Sequence, residues 1–357
     1  MKKWWFLVLF FIISAGLVKA ANEPVKATGD KIWGDDKKKL TFLEGNVRII
    51  QGSTMITTEK TRVDMDKKIA SFGSGVKLSR PDLTIAADNL EYNFKKKSGS
   101  FTRNVLLNRS EVKDKEGKVT KDAFTLITEE LYFEADTDNF LAKNRSQVEH
   151  REFTGSADLI AYDDRKQELC FTGNAYLKRP NGEEIRGAEI IINTQANSFA
   201  VKRQVELKND EVTITANHLE YDYQKKNGTF SGNVILDRAE TKDEHGKIVK
   251  EGFKLTSAKL YFESETKNFK TEDKGMVEHR DFTGSAVEIE YIDSKQVLTF
   301  KTNAFLKRPK EEEIRGNLIT IYIKDKSFVV NQGVSIEFRV DSEKGAQENQ
   351  DRKAKRK

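Results

Sequence analysis

A single cysteine, four prolines and four histidines in 357 residues exclude several kinds of chemistry at once. The lone Cys170 rules out an intrachain disulfide, so stability has to come from strand pairing and an apolar interior. Histidine is too sparse for a metal cluster with recognisable spacing. No phosphate-binding P-loop, dinucleotide fingerprint or nucleophile elbow is present, and helical periodicity is not sustained anywhere after the N-terminus. Three of the prolines, Pro81, Pro180 and Pro309, fall just after apolar alternating runs, where they end strands.

Long hydrophobic runs are also scarce. The one at Trp4–Val18 spans fifteen residues, short for a membrane helix, with Lys2-Lys3 before it and Val18-Lys19-Ala20 after it. Residues 1–20 are expected to be a signal peptide cleaved near Ala20, which places the mature chain outside the cytoplasm. An uncleaved anchor at residues 4–18 is the alternative. The formal charge of +5 falls to +2 once Lys2, Lys3 and Lys19 leave, so the body gives no ground for a nucleic-acid partner. An apolar content of 37% against 33% charged residues suits an elongated body with much surface per residue.

The chain has internal repetition instead. Shifted by 129 residues it matches itself without a gap: Leu83–Tyr92 falls on Val212–Tyr221, and Val148–Ala157 falls on Val277–Ala286 with nine identities in ten. Within each copy a smaller unit recurs, anchored on Val47, Val76, Val105, Val148, Ala175, Val205, Val234, Val277, Ala304 and Val334. The anchors lie 27 to 30 residues apart except for two gaps of 43. The excess in the long units is charged and centred on Gly117 and Gly246, and reads as a protruding hairpin loop. Organisation is therefore expected as N-terminal units over 21–82, one copy over 83–211, a second over 212–340, and a disordered basic tail over 341–357. Such repetition points to function on an extended surface rather than in one pocket.

Local periodicity is two. Leu83-Ile85-Ala87, Val105-Leu107, Phe199-Val201 and Ile319-Ile321-Ile323 alternate with polar residues, and Asp, Asn, Gly and Lys clusters separate the runs. The chain is thus all-β, made of many short antiparallel strands. Stacking the units on their anchors shows one inward face, on which Val76, Leu78, Val105, Leu107, Ala175, Leu177, Val205, Leu207, Val234, Leu236, Ala304 and Leu306 are candidates to line an apolar groove. Four residues after five of the anchors stand Arg80, Arg109, Arg179, Arg238 and Arg308. An arginine stem lines apolar surface while its planar head pairs with phosphate or carboxylate, so these five are candidates for a head-group rim. The alternative is ordinary arginine at strand ends before a turn.

Catalytic candidates are thin. His150 and His279 occupy equivalent places beside Arg151 and Arg280, which permits a phosphate or metal site or merely a turn that survived duplication. Asp64-x-Asp66 and Asp163-Asp164 imitate carboxylate pairs but sit in turns. Cys170 matches Thr299 of the other copy, between Leu298 and Phe300 of inward parity, and should face outward without a chemical role. No catalytic residue, metal or cofactor is expected.

Repeated Gly-Asn-Val and its variants (Gly45-Asn46-Val47, Gly173-Asn174-Ala175, Gly232-Asn233-Val234) and Ala-x-x-Leu-x-Tyr (Ala87–Tyr92, Ala216–Tyr221), behind a signal peptide, resemble the OstA-like family over about Gly45 to Phe338. That family includes the periplasmic lipopolysaccharide-transport protein LptA and the N-terminal domain of LptD. The resemblance implies an elongated β-jellyroll, or β-taco, open along one side, here of about ten units of roughly 29 residues. Its interior would hold the acyl chains of lipopolysaccharide or a related lipid. Its ends would dock to other jellyroll transport proteins at the inner and outer membranes, with self-association as a further option. The segment Ser335–Val340 is a candidate docking strand. A structural β-rod without ligand and a β-solenoid enzyme acting on polysaccharide are the competing classes.

Overall fold

The computed structural model describes residues 23–338 apart from 74, 310 and 311; the expected signal peptide, the basic tail and the last residues of the docking strand lie outside them. Nearly every described residue belongs to one antiparallel sheet of 26 strands, in which each strand pairs with those before and after it in sequence. Six of the sheet's passes are each split into two half-strands, so the chain makes twenty crossings, two for each of the ten units. The sheet runs on without a break through residues 82/83 and 211/212, as pairings such as Lys208↔Thr213 and Leu83↔Arg109 show. The fold is a β-jellyroll.

What folds this sheet upon itself is a corner in the middle of each crossing. In Asn139–His150 the inward residues are Phe140 and Ala142, then Ser146 and Val148, a step of four; in Phe153–Asp163 they are Phe153, Gly155 and Ala157, then Ile160 and Tyr162, a step of three. Facing strands thus differ by one residue at the corner: Lys143 pairs with Leu159 and Ser146 with Ala157, which is a β-bulge. The extra residue bends the strand, and the odd steps keep the same face inside on both halves. Without the bend a twelve-residue strand would run about 40 Å as a single flat layer.

The bulged strand turns its corner with two successive left-handed residues, among them Gly45-Asn46, Arg103-Asn104, Gly173-Asn174, Gly232-Asn233 and Thr302-Asn303. Glycine suits the first position, and asparagine tolerates the second because its side chain can bond locally. Asn46, Asn104 and Asn174 each donate to a carboxylate sixteen residues earlier, Asp30, Asp88 and Asp158, at 2.9, 3.0 and 3.0 Å. The recurring Gly-Asn-Val is therefore the corner itself, and its Val or Ala is the first inward residue beyond it.

The inner faces of the two half-sheets form one continuous apolar core from Leu43 to Ile323, with Phe101, Phe133, Phe171, Phe230, Phe262 and Phe300 fully buried. Burying each such side chain stabilises by about 1.5–3 kcal/mol. Both long units carry the expected hairpin: Val112–Lys113 pairs with Val119–Lys121, and Thr241–Lys242 with Ile248–Lys250. Among the described residues no helix is long and apolar enough to cross a membrane.

Candidate functional site: the interior and its seam

Folding every crossing at its corner brings the two ends of the strands together along one side of the molecule. One row of turns there comprises four-residue turns such as 64–68, 93–97, 134–138, 163–167, 222–226 and 293–296; each closes on a left-handed residue, and several are capped by their opening Asp or Asn. The other row holds the turns that follow the five arginines, and the two hairpins. Turn backbone hydrogen bonds among the described residues stay within a row, so no ladder closes this side. Side chains close it.

All twelve groove candidates face the interior and are buried: Val76, Leu78, Val105, Leu107, Ala175, Leu177, Val205, Leu207, Val234, Leu236, Ala304 and Leu306 are each at most 3% exposed. An apolar cavity of about 280 Å³ opens at the C-terminal end, against Phe282, Leu306, Ile321, Ile323 and Phe328, with Arg308 and Lys326 beside it.

The arginines stand at the top of this interior, beneath the two rows, but they are not the free cationic rim that the sequence suggests. Arg80 bonds to Asp138 and to the carbonyl of Ala135. Arg109 pairs with Asp164 and, at 3.5 Å, with Asp82. Arg238 pairs with Asp293 and, at 3.1 Å, with Glu211. Arg179 lies 2.7 Å from Glu183 and donates to the Tyr221 hydroxyl at 2.6 Å, and Glu183 accepts from Ser264 at 2.5 Å. These partners come from the opposite row of turns or reach into it, so the ion pairs form a seam. The physical reason is desolvation: a guanidinium above an apolar core is tolerated only with a carboxylate at hand. Arg308 is the exception, since its unit lies at the end of the sheet. Its side chain is 37% exposed and has one partner, Glu312, at 3.3 Å.

Each seam arginine also sits over an aromatic ring. Arg109, Arg179 and Arg238 lie 4.9, 5.1 and 5.2 Å from the rings of Tyr162, Tyr221 and Tyr291, and Arg308 lies 5.3 Å from Phe328. Burial pushes the Tyr221 phenol up to about 12 and those of Tyr162 and Tyr291 higher still, so all three remain uncharged donors. The Ala-x-x-Leu-x-Tyr motif thus ends, at Tyr221, on the ring beneath a seam arginine.

Two lysines missed by the sequence reading complete the seam. Lys121, at the end of the first hairpin, lies 3.3, 3.5 and 3.0 Å from Asp82, Asp138 and Asp164. Lys250, at the end of the second, lies 3.0 and 2.8 Å from Glu211 and Asp293. Burial raises the Asp82 and Glu211 carboxyls, but these cations outweigh it and hold both below the ordinary carboxylate range. The hairpins are therefore not only solvated loops. Likewise Asp163 is the turn cap expected, whereas Asp164 is half-hidden in the seam.

His150 and His279 are buried against Phe153 and Phe282. Nε2 of His279 lies 2.8 Å from Glu251, and that of His150 lies 3.7 Å from Asp122. Glu251, His279 and Asp281 could crowd donor atoms around a cation. Nδ1 of each histidine, however, accepts a backbone N–H, from Asp281 or Glu152 at 3.2 Å, which places the ring proton on Nε2 and leaves no lone pair there for a metal. Arg280 already neutralises Glu251 at 2.6 Å. Burial lowers both histidine pKa values against the opposing pull of these carboxylates, so both rings are structural and neutral near pH 7. Cys170 has outward parity and is half-buried, and burial raises its thiol pKa, which leaves it unreactive.

An apolar trough made by one repeatedly cornered sheet, with charge confined to its open side, defines a β-jellyroll binding protein rather than a pocket enzyme. The family model for the LptA/(LptD N-terminal domain) LPS transport proteins matches residues 26–198 and 213–327, and the chain belongs to that family. Among solved structures it is similar to LptH, the LptA-homologous periplasmic component of the lipopolysaccharide transport device of Pseudomonas aeruginosa. The identity is 14%, over 43% of this chain and 84% of that one, with a TM-score of 0.23. A comparison with curated proteins gave no match.

Proposed function

We propose that this chain is a periplasmic lipid-binding bridge that carries lipopolysaccharide-like amphiphiles toward the outer membrane. Acyl chains would lie between the half-sheets, on the face bearing Leu107, Leu177 and Leu236, and anionic head groups would stay at the open side near the arginines. The observation that carries this reading is the continuity of the apolar interior through all ten units under a single row of cations. Repetition supplies many similar sites of comparable energy, which movement along a conduit needs. At about 4.8 Å per strand, twenty crossings give a body on the order of 100 Å long.

Docking to other jellyroll proteins at the inner and outer membranes, or to a second copy, would use the two sheet edges. The first edge exposes Val25, Ile32 and Trp33, and the last exposes Val329, Ile336 and Phe338. Each edge strand is paired on one side only, so it offers unpaired backbone groups to a partner. A partner pump would supply the drive.

A ligand-free β-rod is the second reading, favoured by the near-complete burial of the groove residues by the chain's own side chains. Photo-crosslinkers placed in cells at Leu107, Leu177 and Leu236 discriminate between the two, together with mass spectrometry of the gently purified protein. Lipid adducts at these positions and not at Cys170 support the bridge. Equal labelling at both, or no co-purifying lipid, supports the rod.

A further inference from the structure

The two hairpins recur at the same place in both 129-residue copies, and so does the charge cluster that each one completes. Asp82, Arg109, Lys121 and Asp164 of the first copy correspond to Glu211, Arg238, Lys250 and Asp293 of the second. The remaining two positions have changed together. Arg80 and Asp138, which bridge the rows in the first copy, are Asn209 and Lys267 in the second, where Lys267 bridges the rows by pairing with Glu211 at 2.7 Å. A salt link across the open side has thus survived an exchange of its charges, which a pair of merely solvated turns has no reason to maintain.

The hairpins contribute to this link from outside the sheet. Apart from the lysines, the second hairpin reaches the opposite row at the carbonyl of Val249, which accepts from Gln296 at 3.0 Å. The link is also incompletely satisfied. Nε of Arg80, Arg109 and Arg238, and Nη1 of Arg109, are buried without a hydrogen-bond partner. A buried guanidinium with an idle donor holds its carboxylates less tightly than a fully forked pair does, and it retains affinity for a ligand with three oxygens.

We propose that the two hairpins are clasps. Through Lys121 and Lys250 they hold the open side of the trough shut, and the phosphate monoester of an entering amphiphile opens it by taking the arginines from Asp164 and Asp293. The interior is then loaded sideways at two points, 129 residues apart in sequence, rather than only through its ends. This rests on the reading of the interior as a lipid site, and goes beyond it by assigning the door and the group that turns it.

The test uses the full mature chain and two probes with the same acyl chain: lysophosphatidic acid, which carries a phosphate monoester, and monoacylglycerol, which does not. Lys121→Met with Lys250→Met keeps the apolar stems and removes the charges; Lys118→Met with Lys247→Met, at the exposed hairpin tips, is the control. A third variant, Val249→Cys with Gln296→Cys in a Cys170→Thr background, is closed with a short bis-maleimide.

The clasp variant should load lysophosphatidic acid at least tenfold faster than the parent, and monoacylglycerol faster as well. The cross-linked variant should load both more slowly, and the control should match the parent. In the parent, lysophosphatidic acid should outpace monoacylglycerol. Unchanged rates in both the clasp and cross-linked variants would overturn the proposal. Hydrogen exchange of the turns at Asp138, Asp164 and Asp293 separates its failure from that of the lipid reading. Faster exchange in the clasp variant supports the clasp even if neither probe loads, and unchanged exchange overturns it.

Discussion

Arg238 and Arg308 hold the same position in their units, yet their substitution should have very different costs. The side chain of Arg238 is 1% exposed and stands between Asp293 and Glu211, whereas that of Arg308 is 37% exposed beside Glu312 alone. Arg238→Met preserves the stem over the core and strips the charge, leaving two half-hidden carboxylates short of a cation. Breaking a buried pair in this way costs about 3–5 kcal/mol. Lys250 remains within 3.0 Å of both carboxylates, which places the expected loss at the lower end, about 3 kcal/mol. Arg308→Met removes a solvent-screened pair and should cost less than about 1 kcal/mol. Urea denaturation followed by far-ultraviolet circular dichroism measures both, provided the slope against denaturant is unchanged between variants. Equal losses within about 1 kcal/mol, or a gain in stability for Arg238→Met, would refute the argument that the arginine column is a buried seam.

The charge exchange between the copies predicts that Arg80→Asn and Asp138→Lys each destabilise by about 1–2 kcal/mol. Combined they should recover at least half of the summed loss, because the lysine introduced at position 138 could then reach Asp82 as Lys267 reaches Glu211; strict additivity would sink this. Gly173 turns a corner at φ +77, and a Cβ there would lie 2.6 Å from Asp158 Oδ2, so Gly173→Ala should lose about 1–3 kcal/mol. Gly117 is also left-handed but has open space around it, and Gly117→Ala should cost less. Acid should act through Asp82 and Glu211. Lys121, Arg109, Asp138 and Asp164 surround the first, and Lys250, Lys267, Arg238 and Asp293 the second. Folded-state pKa values below the unfolded ones mean that this stabilisation is complete above about pH 4.5 and is lost as pH falls through the folded values. Asp82→Asn with Glu211→Gln should flatten the acid limb of a stability–pH profile, and an unaltered limb would show that the clusters contribute nothing there.

Strand parity was legible because a half-buried strand writes its inward face every second residue, and Val105-Leu107 or Ala175-Leu177 needs no partner to be recognised. The corners were visible as a motif but not as corners: Gly173-Asn174-Ala175 shows a turn-prone pair inside an apolar run. Only the pairing of Thr172 with Glu189 and Ala175 with Gly187 reveals the extra residue that bends the sheet. The arginine column was equally plain, and its meaning was not. Arg109 meets Asp164 and Arg238 meets Asp293, each 55 residues on, a separation set by the number of crossings between two rows of turns. Asp164 looked like a solvated turn residue for the same reason, and Lys121 and Lys250 looked like ends of charged loops.

A conduit made of identical units faces a conflict between stability and passage, and the placement of charge in this chain resolves it in a particular way. If the half-sheets were joined by a backbone ladder on both sides, the interior would be a closed barrel and no amphiphile with a bulky polar head could travel with its chains inside. If the open side were bare, about 100 Å of apolar surface would face water and invite aggregation. Side-chain ion pairs lie between these extremes. They exclude water from the core while each remains separately breakable, since a seam of independent nodes opens at one node without unzipping its neighbours. Confining the extra hairpins to one unit per copy then makes two nodes stronger than the rest. A head group moving along the open side would meet low steps between units and a high one at each clasp.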